Sequence, residues 1–145
     1  MKIQTKFLGE VEIESNQTWS FPKGIPGFED EKNFALLPIE GNDMFIVLQS
    51  INTKDIAFIV ANPYTIAQNY SFDIDEATIH TLDIQNEEDL MVLGVLSLKN
   101  PFETSTINLQ APLIFNTKTK KGKQMILNDS NFSMRHQIGA VEESK

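Results

Sequence analysis

The sequence predicts a mainly β fold: a small antiparallel β-barrel-like single domain with one or two short helices. Three observations predict it. The apolar residues fall in short runs rich in Ile, Val, Phe and Thr. Gly, Pro, Asn and Asp punctuate the gaps between those runs, as turns require. No segment keeps apolar residues at helical spacing for more than three turns. About nine or ten short strands result, which argues for a barrel or a sandwich. The 145 residues are the length of one domain. A chain of that size buries roughly 68% of its unfolded surface and needs neither metal nor disulfide to fold.

Each element has its own signal. Residues 11–13 alternate apolar and acidic, as a half-buried strand does, and 18–21 continue the habit. Residues 34–37 and 45–48 are compact apolar runs suited to strands covered on both faces. Residues 56–61 form another, stopped by Asn62 and Pro63, and 63–69 read as a short helix or turn. Residues 78–84 are read as an alternating strand, with Ile79, Leu82 and Ile84 apolar and His80 on its polar side. Asn86 is placed to cap a short turn through Glu87, Glu88 and Asp89, whose charges suit a helix N-terminus. Residues 91–98 are the longest apolar run, and Gly94 within it marks a bulge or a close approach. Residues 107–109, 113–116 and 124–127 complete the set.

Composition narrows the function classes. Cysteine is absent, so thiolate nucleophiles, thiolate metal sites and disulfides are excluded. The N-terminus lacks the apolar run of a signal peptide, and no stretch approaches the roughly 18 apolar residues of a membrane span. A cytoplasmic protein that does not enter membranes is expected. Net charge is −8. Residues 1–110 hold 17 acids against 6 lysines, a balance of −11, whereas 111–128 hold Lys118, Lys120, Lys121 and Lys123 and no acid. The main body repels nucleic acid and suits a basic protein partner, although solubility alone also explains the charge.

The search for chemistry finds no catalytic constellation. Three acidic clusters occur: Glu29–Asp30–Glu31, Asp73–Asp75–Glu76 and Glu87–Glu88–Asp89. General acid–base work needs two carboxyls close together in a cleft, and neighbours in a polar loop are simply solvated. The second cluster fails as a calcium loop, because the sixth position from Asp73 is Thr78 and the twelfth is Ile84. His80 and His136 lack metal-ligand spacing and read as surface residues. Nucleophile-elbow and phosphate-loop motifs are missing. The basic run of residues 117–123 reads as a soluble hairpin that blunts an edge, with phosphate gripping as the alternative. No cofactor, metal or catalytic residue is expected.

The segment FPKGIPGF (residues 21–28) carries the most information. Pro22 and Pro26 lock φ, Gly24 and Gly27 admit positive φ, and Phe21 and Phe28 anchor the ends. It reads as a rigid connection and as a platform displaying the acids that follow. The longer stretch FPKGIPGFEDEKNFALLPI (residues 21–39) resembles the signature of the FliW flagellar assembly factors. FIVLQS at 45–50, Ala57–Phe58 with Pro63–Tyr64, NLQAP at 108–112 and the Lys121–Gly122–Lys123 hairpin follow in the order that family shows. The resemblance covers residues 1–136 as one barrel-like domain and leaves 137–145 as a flexible tail.

The resemblance implies a β-barrel without enzyme activity and two protein partners. One is flagellin. The other is CsrA, the RNA-binding repressor of flagellin translation, whose action the protein antagonises allosterically when flagellin does not hold it. The residues themselves suggest where a basic partner is steered. Phe28, Glu29, Asp30 and Glu31 are the leading patch, and Glu87, Glu88, Asp89 and Glu103 with Phe102 are the second. Two other classes remain: a small-molecule or enzymatic barrel, and an OB-type nucleic-acid binder with aromatics exposed on one sheet face.

Overall fold

A computed structural model describes residues 1–128 and 131–138. Strands β1 (Lys2–Gln4) and β2 (Glu10–Glu12) form a hairpin. Then come β3 (Thr18–Ser20), β4 (Asn33–Ile39), β5 (Asn42–Ser50) and β6 (Ala57–Ala61). Two short helices follow, α1 (Pro63–Ile66) and α2 (Glu76–Leu82). The chain ends with β7 (Leu90–Ser97), β8 (Thr106–Ile107), β9 (Leu113–Asn116), β10 (Lys121–Gln124) and β11 (His136–Gln137).

The expected barrel is present. The sheet runs from β3 through β4, β5, β6 and β7 to β9 and β10, and β10 returns to β3. The expected antiparallel pairing breaks once, where Lys121 of β10 faces Ser20 of β3 in parallel. The reason is arithmetic: a closed ring of seven strands cannot alternate direction at every contact. β8 pairs with the second half of β7, and β11 pairs with β8.

Three apolar clusters hold the fold. The barrel interior is filled by Trp19, Phe21, Phe34, Leu48, Leu113 and Phe115 among others. Trp19 and Phe21 meet Phe115 edge-on at 5.0 and 5.7 Å between ring centres. On one outer face Ile3 and Ile13, which flank the β1–β2 hairpin, pack on Ala35, Leu37 and Val47. On another, Ile66, Tyr70 and Leu82 pack on Leu96, Ile107 and Ile114. Strands of the first apolar runs are therefore covered on both faces, which is why their sequences do not alternate.

Residues 78–84 correct the sequence reading, because 78–82 belong to α2 and Asp83 caps it, so no strand forms there. Seven residues are too few to separate a period of two from one of 3.6. The local chemistry decides for the helix. Asp75 accepts from the Thr78 N–H at 2.7 Å as N-cap. Thr78 and Leu82, one turn apart, are both buried. Asp83, at φ 53°, ends the helix, and the Asn116 side chain donates to the Leu82 and Asp83 carbonyls at 2.9 and 3.2 Å.

The last strand of the ring is also shifted. It occupies 121–124 in place of 124–127, because Gly122 is the residue that fits against the Phe21 ring, where a Cβ would come within 2.6 Å. Met125 and Leu127 stay buried and donate to the Pro112 and Gln110 carbonyls. Gly94 is a close approach as expected: a Cβ there would lie 2.7 Å from Ile107 Cδ1. The tail expected from 137 is described only for Gln137, opposite Thr106, and Ile138, which is buried. Residues 139–145 lie outside the described residues.

Candidate protein-binding surfaces

The first patch is built by the turn between β3 and β4. Phe21 is fully buried and its carbonyl accepts from the Gly24 N–H at 2.8 Å. Gly24 has φ +66° and packs its Cα against the backbone of Glu29, where a Cβ would sit 2.6 Å from the Glu29 Cα. Ile25 is buried and bridges Phe28, whose N–H donates back at 2.6 Å. The turn is therefore anchored by apolar side chains and closed by its own backbone. Phe28 stands 39% exposed, edge-on to Phe58.

The acids after it divide. Glu29 and Asp30 are exposed. The Gly27 N–H, at 3.1 Å, holds the Glu29 carboxyl below its usual range, helped by its own N–H and by Lys32. Glu31 points the other way. It accepts from the Thr53 hydroxyl at 2.9 Å and from the Ser50 hydroxyl, and so clamps the β5–β6 turn. Its carboxylate is committed to the fold, so Phe28, Glu29 and Asp30 are what the turn offers to solvent.

The second patch is not one surface element. Glu87, Glu88 and Asp89 form a single 3-10 turn before β7. Asn86 precedes it, but no side-chain cap bond forms there; its carbonyl accepts from the Asp89 N–H at 3.2 Å. Glu87 and Glu88 are exposed, and the Asp89 carbonyl takes both the N–H and the hydroxyl of Thr117 at 2.8 Å. Phe102 and Glu103 lie on another 3-10 turn after β7. Phe102 is 47% exposed with its ring 5.6 Å from Phe45.

The structure adds a groove that the sequence reading missed. It encloses about 850 Å³ between the start of β5, the start of α1, α2 and the first half of β7. Its walls are apolar, with Met44, Phe72, Ile79, Met91 and Leu93, and its rim carries Asp43, Asp73 and Glu87. Met44, Tyr64 and Ile79 are exposed there. Of the groove's acids, Asp73 and Glu87 belonged to acidic clusters seen in the sequence, and only Glu87 was placed on a binding patch. The Asn62–Pro63 stop at the end of β6 was a signal that the strand ends, but it does not say that its neighbours continue.

His80 is exposed on α2 and His136 half-buried on β11. Among the described residues, no group of three or more His, Asp or Glu side chains is placed to hold a metal, and no helix is long and apolar enough to cross a membrane. The basic run forms the expected hairpin, and Lys120 lies 4.6 Å from the Trp19 ring centre. Exposed Phe7, Phe28 and Phe102 sit on three different connections.

Residues 2–138 match a protein-family model described as FliW protein. A flagellar assembly factor FliW of Bacillus velezensis is 46% identical over 139 residues, covering 96% of this chain and 97% of that protein. Its counterpart in Bacillus subtilis is 44% identical over 139 residues, with the same coverage. A crystal structure of the flagellar assembly factor FliW superimposes with a TM-score of 0.90 at 38% identity, covering 95% of this chain and 96% of that one.

Proposed function

The chain belongs to the FliW family of flagellar assembly factors, and on that premise we propose that it works by binding two proteins, flagellin and the translational repressor CsrA. Flagellin holds it while flagellin is plentiful. Released, it binds CsrA away from the RNA-binding face and relieves repression of flagellin synthesis. The protein performs no bond-making chemistry and needs no cofactor in this reading.

The observation that carries the proposal is the rigid turn of residues 21–28, which presents Phe28 beside the exposed Glu29 and Asp30. The body behind it has a charge balance of −11 over residues 1–110. Such a surface repels RNA and attracts a basic, RNA-binding protein, so charge favours the repressor itself as the target. The exposed aromatics Phe7, Phe28, Tyr64 and Phe102 are scattered over three connections and the short helix α1, which disfavours an OB-type strand of stacked bases. A metabolic enzyme is disfavoured by carboxylates that either face solvent or serve as structural acceptors.

A gel shift tests this. Flagellin leader RNA mixed with CsrA is retarded; this protein added alone leaves the RNA free, and added to the complex it abolishes the shift. Flagellin restores the shift by competition. Retardation of RNA by this protein itself, or indifference of the CsrA complex to it, refutes the reading. Charge reversal of Glu29 and Asp30, with Glu31 left in place for the fold, lowers the association rate with CsrA at low salt and converges with wild type at high salt.

A further inference from the structure

The groove beside β7 has an open backbone edge, and its origin can be derived. Odd-numbered residues of β7 turn their N–H and C=O toward β9 and β8: the Val95 carbonyl accepts from Asn108, and the Asp89 carbonyl, just before the strand, accepts from Thr117. A strand alternates its edges residue by residue. Val92 therefore turns its N–H and C=O to the other side, toward β6, as does the Leu90 carbonyl, while the Leu90 N–H is taken by the Glu87 carbonyl of the preceding 3-10 turn. There the β6–β7 ladder stops at Ala61 opposite Gly94. Counting on, the residue that would face Val92 is Pro63, which has no N–H and starts α1 instead. On the far side β5 also runs past β6, whose pairing with it ends at Phe45 opposite Ala61, so that Asp43 and Met44 project beyond it. The result is a slot one strand wide, floored by Met91 and Leu93.

We propose that this slot docks an extended segment of a partner protein that alternates bulky aliphatic residues with Lys or Arg, adding as a strand through the Val92 N–H and C=O and the Leu90 C=O. Charge chooses the occupant. Asp43, Asp73 and Glu87 rim the slot and no lysine or arginine lines it. A second copy of this chain, with net charge −8, would bring acid to acid. Backbone bonds hold an added strand and alternate side chains fill the pocket, which is how sheet edges recognise peptides. The inference rests on reading the protein as a macromolecular binder, but its test uses neither flagellin nor CsrA, so the two readings fail separately.

Amide hydrogen exchange followed by NMR reads the slot directly. In the free protein, Val92 exchanges at least tenfold faster than Met91 and Leu93, which are bonded to β9. The acetylated, amidated peptide KVRIKV at millimolar concentration slows Val92 at least fivefold and leaves Met91 and Leu93 unchanged, while EVEIEV does nothing. The pair Asp43→Lys and Glu87→Lys, both at the rim and outside the apolar clusters, loses the effect of KVRIKV. Equal protection of Met91, Val92 and Leu93 in the free protein overturns the proposal. So does KVRIKV leaving Val92 unprotected, or protection that survives the charge reversal.

Discussion

Replacing Gly24 by alanine, with Gly27→Ala as its control, isolates what holds the acidic turn in place. Both glycines have positive φ, +66° and +89°, so both substitutions meet the left-handed penalty of an L side chain, about 1–2 kcal/mol. Only Gly24 is also crowded. Its new Cβ falls 2.6 Å from the Glu29 Cα and carbonyl oxygen, whereas nothing lies within 4 Å of the one at Gly27. Carbon atoms pack at about 3.5–4.0 Å, so the Glu29 backbone has to retreat by roughly 1 Å. Backbone cannot swing away as a long side chain does, and overpacking of this kind adds about 1–3 kcal/mol. Gly24→Ala is then expected to cost about 2–5 kcal/mol in total. With a urea m-value of about 2 kcal/mol/M, the midpoint falls by about 1–2.5 M for Gly24→Ala and about 0.5–1 M for Gly27→Ala. The assay is equilibrium urea unfolding followed by Trp19 fluorescence, with m compared between variants. Equal midpoints for the two would refute the argument that close approach, beyond φ, dictates glycine at position 24.

Two further outcomes are expected. Thr78, whose N–H donates to Asp75 at 2.7 Å, holds that carboxyl below its ordinary 3.8, so the cap stabilises α2 above about pH 4 and is lost as pH falls through the lower folded value. Asp75→Ala therefore costs about 1 kcal/mol at pH 7, and thermal melts show that deficit shrinking as pH falls below the ordinary carboxylate value of 3.8. Gln49 is fully buried, accepts from the Lys6 N–H at 2.9 Å and donates to the carbonyls of Ser50, Thr53, Lys54 and Ile56. Gln49→Leu strands those groups at about 1–3 kcal/mol each for any left unpaired, and the Lys6 amide exchanges markedly faster as the β1–β2 hairpin loosens.

The residues themselves announced the barrel, since short β-branched runs between Gly, Pro and Asn admit few other solutions. They also announced the turn of residues 21–28, because proline and glycine constrain φ locally and need no knowledge of neighbours. Charge balance, likewise a property of the chain alone, pointed to a basic partner. Tertiary structure decided what depends on contacts between distant segments. Residues 78–84 became helix because Leu82 found a buried seat and Asn116, 34 positions on, capped the last carbonyls. Glu31, one of three consecutive acids, was withdrawn from the surface by hydroxyls 19 and 22 residues away. The slot beside β7 exists because β6 ends at Ala61, with Pro63 already in α1, while strands on either side continue. Which strand outlasts its neighbour is a matter of register, and register is set only when the ring closes.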